Sequence, residues 1–133
     1  MKINNFRFSR RSENNLKGVN PALVQVVRRA LELSAVDFGV IEGLRTVERQ
    51  RELFNAVPKK TQTMNSRHIT GHAIDVFAYP TANGSWEWKY YEQIAAAFKR
   101  ASKDVGVNIE WGGDWKTLKD GPHFQLSHKE YQP

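Results

Sequence analysis

Apolar residues recur at helical spacing through Leu23, Val24, Val27, Ala30 and Leu31. Asn20-Pro21 stands just ahead of them. Asn can cap a helix and Pro suits its first position, so a helix is predicted from there to about Leu33. Phe38-Gly39-Val40-Ile41 reads as a short strand ending at Gly43. Thr46 to about Ala56 reads as a second helix, with Thr46 as its cap and Val47, Leu53 and Phe54 on its apolar face. The polar stretch from Val57 to Arg67, which carries Pro58, reads as a loop. Ala73 to Ala78 reads as a strand, followed by a turn from Pro80 to Ser85 around Asn83-Gly84. Trp86 to about Val105 is the longest helical pattern. Tyr91, Ile94, Ala95, Phe98 and Ala101 form its stripe and Gly106 ends it. Asn108 to Trp111 and His123 to Leu126 read as two further strands joined by a Gly-rich loop. The pattern is α+β: about three helices packed around a small, mostly antiparallel sheet.

Composition narrows this picture. A chain of 133 residues with 40% hydrophobic and 26% charged residues suits one domain with a modest core. No repeat or interdomain linker interrupts residues 1–133, so a single domain is expected. No run approaches the ~18 apolar residues of a membrane span, and the N-terminus lacks the apolar stretch of a secretory signal. There are no cysteines, so any metal must be held by His and carboxylates. The net charge of +6 is uneven: residues 1–67 hold 13 Lys and Arg against 6 Asp and Glu. That half could attract nucleic acid, an anionic envelope or another acidic polymer, or could simply form solvated helix faces.

The histidines bring in chemistry. Ser66-Arg67-His68-Ile69-Thr70-Gly71-His72-Ala73-Ile74-Asp75 gathers several possible ligands around a glycine. The four-residue step from His68 to His72 would put both rings on one face of a helix, as in helical zinc peptidases. Ile69 stands where such a motif has its Glu, however, and Thr70-Gly71 interrupts a helix. The alternative puts His68 on a loop and Asp75 on the following strand, sharing one ion. Strand alternation places Asp75 on the face of Ala73 and Phe77, opposite Ile74 and Val76. A carboxylate among such neighbours needs a partner, and a cation is a natural one. A second cluster runs from Asp114 to Leu126. There His123 follows a Gly-Pro turn and Asp120 sits three residues before it. Two His and a carboxylate with an open fourth position is a catalytic zinc arrangement. The residues alone equally allow two unrelated histidines near turns.

The segment Ser66-x-His68-x-x-Gly71-x-Ala73-x-Asp75 resembles the signature of the peptidase family that includes the D-alanyl-D-alanine carboxypeptidases and dipeptidases of vancomycin resistance. The resemblance is closer to its small phage branch, the L-alanyl-D-glutamate endopeptidases used as endolysins. It extends through Val36-Asp37-Phe38, Glu42-Gly43-Leu44-Arg45-Thr46, Trp111-Gly112-Gly113-Asp114-Trp115 and Asp120-Gly121-Pro122-His123-Phe124. The resemblance implies a Hedgehog/DD-peptidase-like fold, with Zn2+ held by His68, Asp75 and His123. It implies Asp120 as general base and Arg45 as stabiliser of the developing oxyanion. Ser66 and Trp115 are its candidate substrate contacts, although a loop-capping Ser and a core Trp fit as well. His72 falls at a variable position, His128 reads as surface, and Glu42 and Glu110 read as ion-pair partners.

The implied reaction is hydrolysis of the L-Ala–D-Glu bond in peptidoglycan stem peptides. Asp120 would take a proton from the attacking water and pass it to the leaving amine. The resemblance further implies a monomer that stays in the host cytoplasm until lysis and then reaches the periplasm and cell wall. A membrane-opening lysis protein would let it through. Two other readings remain: a D-Ala-D-Ala carboxypeptidase with the same site residues, and a non-catalytic wall- or nucleic-acid-binding module. No zinc-finger spacing or RNA-binding motif supports nucleic acid.

Overall fold

The computed structural model describes residues 3–58, 66–116 and 119–131. Its elements run α1 (Arg10–Leu16), α2 (Pro21–Leu33), β1 (Asp37–Glu42), α3 (Val47–Asn55), β2 (Ala73–Tyr79), α4 (Trp88–Val105), β3 (Ile109–Trp111), a 3-10 turn (Gly112–Asp114) and β4 (His123–Leu126). The strands form one sheet in the order β1-β2-β4-β3, and every pairing is antiparallel. Residues 59–65 of the expected loop and residues 117–118 of the Gly-rich connection lie outside the described residues.

The sheet has two unlike faces. One presents Phe38, Val40, Ile74, Val76, Ala78, Phe124 and Leu126, all 2% exposed or less, to the apolar stripes of α2 and α4. Phe98 of α4 stacks on Phe124 with ring centroids 3.8 Å apart. The predicted caps form: the side chains of Asn20 and Thr46 accept from the N–H groups of Ala22 and Arg49. Gly106 ends α4 in the left-handed conformation at φ 73. The other sheet face carries Asp75, His123, Gln125 and Glu110. They are neighbours because Asp75 pairs with His123 and Glu110 with Gln125 across the ladders.

Three features depart from the sequence reading. Helix α1 was not expected, since Arg10–Leu16 has no apolar stripe. It forms against the outer edge of β1, where the Val40 N–H donates to Ser12 Oγ (3.0 Å) and Asn15 Nδ2 donates to the Val40 carbonyl (2.8 Å). These bonds occupy a sheet edge that would otherwise be open. In α3 the side chain taken into the interior is Gln50, whereas Val47 remains 45% exposed. Helix α4 begins at Trp88, leaving Trp86 in the preceding segment.

Candidate active site

His68 precedes β2 on a turn that Ser66 closes: the Ser66 hydroxyl accepts the His68 N–H at 3.1 Å. Gly71, at φ 76, lets the chain leave this turn against the Gly18 carbonyl, where a Cβ would lie 2.7 Å from that oxygen. His68 is buried, and its Nδ1–H donates to the Gly43 carbonyl at 2.9 Å. That bond puts the proton on Nδ1 and leaves the Nε2 lone pair facing Asp75 Oδ2 at 3.3 Å. Nε2 is buried without a hydrogen bond, because lone pair and carboxylate are both acceptors.

His123 repeats the arrangement with its ring nitrogens exchanged. Its Nε2–H donates to Gln125 Oε1 at 2.8 Å, so Nδ1 carries the lone pair and faces Asp75 Oδ1 at 3.2 Å. Gln125 Nε2 in turn donates to Glu110 Oε1 at 3.2 Å, and the other Glu110 oxygen accepts the His128 N–H at 2.9 Å. Three ligand-capable atoms, one each from His68, Asp75 and His123, thus lie within 4.8 Å of one another. Ligands ~2.0–2.1 Å from a tetrahedral zinc ion stand about 3.3 Å apart. The two nitrogen-to-carboxylate contacts, 3.3 and 3.2 Å, each to a different oxygen of Asp75, are compatible with that spacing. Facing acceptors at this distance need a positive charge between them, and the donor set suits a borderline ion such as zinc.

The electrostatics point the same way. Burial alone would raise the Asp75 carboxyl, but His123 and His68, whenever either ring carries a proton toward it, hold it well below the usual carboxylate range. Burial would lower His123, yet the Asp75 carboxylate pushes it up, so the shared place favours positive charge. Asp120 is raised by burial and then by the negative charge of Asp75, with His123, His68 and Arg45 opposing.

The turn carrying Asp120 is tightly held. Its N–H donates to the Gly112 carbonyl (3.0 Å), its carbonyl accepts the His123 N–H (3.2 Å), and Trp111 Nε1 donates to the Gly121 carbonyl (2.7 Å). A Cβ on Gly112 would come within 2.2 Å of the Asp120 carbonyl oxygen, so only glycine permits this approach. Arg45, 9% exposed, donates from Nε to Glu42 Oε1 (2.8 Å) and from Nη1 to Gln50 Oε1 (2.7 Å). Its Nη2 lies 3.8 Å from Asp75 Oδ2, and its backbone N–H donates to the His68 carbonyl at 2.8 Å. Buried Gln50 is therefore one of the acceptors that fix the guanidinium.

The Trp115 ring sits 5.1 Å from that of His123. His72 stays out of the cluster: its Nδ1 meets Thr70 Oγ1 at 2.6 Å. His128 is exposed, Glu42 pairs with Arg45, and Glu110 accepts from Gln125 and the His128 N–H and bears electrostatically on Arg67. Gln125 is a site residue that sequence reading missed, and Glu110 was read only as an ion-pair partner. The only signal for Gln125 is the alternation that puts it two residues after His123 on one strand face.

A family model described as phage L-alanyl-D-glutamate peptidase matches residues 4–127. The L-alanyl-D-glutamate peptidase of Escherichia phage T5 is 40% identical over 119 residues, covering 86% of this chain and 85% of that protein. The crystal structure of the Serratia marcescens L-Ala D-Glu endopeptidase ChiX superposes with a TM-score of 0.88 at 56% identity, over 98% of this chain and 97% of that one. The vancomycin-resistance D,D-dipeptidase VanXYg shares the fold, with a TM-score of 0.53 at 20% identity over 85% of this chain and 57% of that one.

Proposed function

The chain belongs to the phage L-alanyl-D-glutamate peptidase family, and on that premise we propose that it is a zinc peptidase cleaving the L-Ala–D-Glu bond of peptidoglycan stem peptides at the His68–Asp75–His123 cluster. The observation that carries this reading is the pair of buried imidazole lone pairs, each set by a hydrogen bond on the opposite ring nitrogen and each facing one oxygen of Asp75. His68 Nε2, Asp75 and His123 Nδ1 would hold the ion. Zinc bound there supplies Lewis acidity toward a carbonyl and toward water.

The rest of the chemistry belongs to the side chains. Asp120 takes the proton of the attacking water and returns it to the amine of the departing D-Glu. A carboxyl raised by burial and by Asp75 holds a proton more readily than a free one, which suits both halves of that transfer. Arg45 presents an always-charged guanidinium, clamped by Glu42 and Gln50, to the oxygen that gains negative charge. Ser66 holds the turn that presents His68, and Trp115 borders the groove next to His123. Helices α1, α2 and α4 and all four strands share one core, which supports reading the chain as a single catalytic unit. No described helix is long and apolar enough to cross a membrane. A separate protein that opens the membrane would give this enzyme access to the wall.

Replacing Asp120 tests the assignment. Asp120→Asn should bind zinc as the parent does while hydrolysis of purified peptidoglycan falls by about 10²–10⁴-fold, the usual contribution of a positioned proton shuttle. Parental hydrolysis in that variant would remove Asp120 from the mechanism.

A further inference from the structure

The sheet face that holds Asp75 continues into an aromatic surface. Along β2, Asp75, Phe77 and Tyr79 alternate with wholly buried Val76 and Ala78, so the three share the open face. Phe77 is two residues from Asp75, about 7 Å along the strand. After β2 the chain folds back through the turn at 80–85. Gly84 makes this possible: its φ is 73, and a Cβ would lie 2.2 Å from the Phe77 ring. The Ser85 N–H donates to the Ala78 carbonyl at 2.9 Å, and the Tyr91 hydroxyl donates to the Ser85 carbonyl at 2.8 Å. This anchoring sets Trp86 against Phe77, with ring centroids 4.4 Å apart, and parallel to Tyr91 at 6.0 Å and 10°. Trp86 nevertheless remains 60% exposed. An indole held by two rings and an anchored backbone, yet left largely bare, is placed for a partner rather than for the core. In the other direction the face is closed: Ala73, Gln125 and Arg67 are 0%, 4% and 6% exposed.

We propose that Trp86, seated on Phe77, is a subsite for the sugar that carries the stem peptide, so that the enzyme grips the glycan strand as well as the peptide. This rests on the reading that the cluster cleaves the L-Ala–D-Glu bond. In peptidoglycan the L-Ala nitrogen is acylated by the lactyl group of the muramic acid ring. The sugar therefore begins one residue and one lactyl unit from the scissile carbonyl, about 7 Å at ~3.3–3.6 Å per residue-length unit. Phe77 lies about that far from Asp75 along β2, and Trp86 is seated on it. The chemistry also matches: a pyranose has an apolar face of C–H bonds that packs on a flat indole, while its hydroxyls stay in water. The aromatic stretch around Trp86, read from sequence as the start of a helix, thereby acquires a role.

The test compares two substrates: a disaccharide-bearing muropeptide, and the same stem peptide with an N-acetyl group in place of the sugar. For Trp86→Ala, the ratio of KM for the muropeptide to KM for the sugar-free peptide should rise about five- to tenfold, and Trp86→Tyr should restore most of it. A second measurement does not depend on hydrolysis. Peptide-free glycan chains titrated into the parental protein should shift the Trp86 indole N–H resonance in NMR spectra. An unchanged KM ratio, with no shift of that resonance, would overturn the subsite. A resonance shift in a protein that cuts neither substrate at L-Ala–D-Glu would uphold the subsite and defeat the reading of the bond.

Discussion

Replacing Gln125 with Leu removes the acceptor of the His123 N–H and the donor to Glu110 Oε1 from the interior, with little change in volume. Gln125 is 4% exposed, and its Oε1 takes the His123 Nε2–H at 2.8 Å. In Gln125→Leu that N–H has no acceptor, an unsatisfied buried donor worth about 1–3 kcal/mol. The ring can avoid the loss only by moving its proton to Nδ1, where Asp75 Oδ1 waits at 3.2 Å. That tautomer puts hydrogen where the ion must bind. Either route weakens metal binding, and loss of such an outer partner typically costs about 10–100-fold in affinity, or ~1.4–2.7 kcal/mol. The assay is competition for zinc against a chromophoric chelator at pH 7.5, with unfolding of the metal-free proteins measured in parallel. Glu110→Gln is the control. It keeps an acceptor for Gln125 Nε2 and leaves the His123 bond intact, so its zinc affinity should change by less than about threefold. A folded Gln125→Leu protein that binds zinc within about threefold of the parent would refute the tautomer argument.

Two further outcomes follow from the same structure. Arg45→Lys should lower kcat by about 10²–10³-fold with zinc affinity retained, because a lysine cannot hold Glu42 and Gln50 and still present a fixed donor; steady-state kinetics beside the zinc competition separates the two. Asp37 is raised by burial, against a weaker lowering by the Phe38 N–H, and its Oδ1 is buried without a hydrogen bond. The folded state therefore holds the proton more tightly than the unfolded one. Stability is greatest below the ordinary carboxylate pKa and falls as pH rises through the elevated value. Asp37→Asn should raise the unfolding midpoint at pH 7 by about 1–3 °C, allowing for solvent screening, and the gain should vanish near pH 3.

How much of this was legible in the sequence depended on the range of the interactions. A glycine-interrupted motif, strand alternation and a Gly-Pro turn, all local, made His68, Asp75 and His123 candidates, and the family resemblance rather than spacing chose them over unrelated histidines. The helices α2 and α4 were legible because their apolar stripes repeat over several turns and face the core. Helix α1 was not, since Arg10–Leu16 is held by side-chain bonds to the edge of β1 rather than by a stripe. In α3 the interior position went to Gln50 and not to Val47 because the helix packs around the Arg45 guanidinium, where an amide oxygen does what a methyl group cannot. Gln125 was invisible, and the link from Glu110 to it unread, for a related reason. A single polar residue on a short strand carries no signal until the β3–β4 register shows what lies across from it. The two glycines of Trp111-Gly112-Gly113 read only as a loop, yet a Cβ on Gly112 would strike the Asp120 carbonyl oxygen at 2.2 Å.

The most direct test of the central claim is product analysis of purified peptidoglycan digested by the zinc-loaded protein, by the protein after chelation, and by the chelated protein resupplied with zinc. The account predicts new amino termini that are D-Glu and new carboxyl termini that are L-Ala, absent after chelation and restored by zinc. Release of terminal D-Ala in place of those ends, or the same ends formed undiminished with the metal removed, would contradict it.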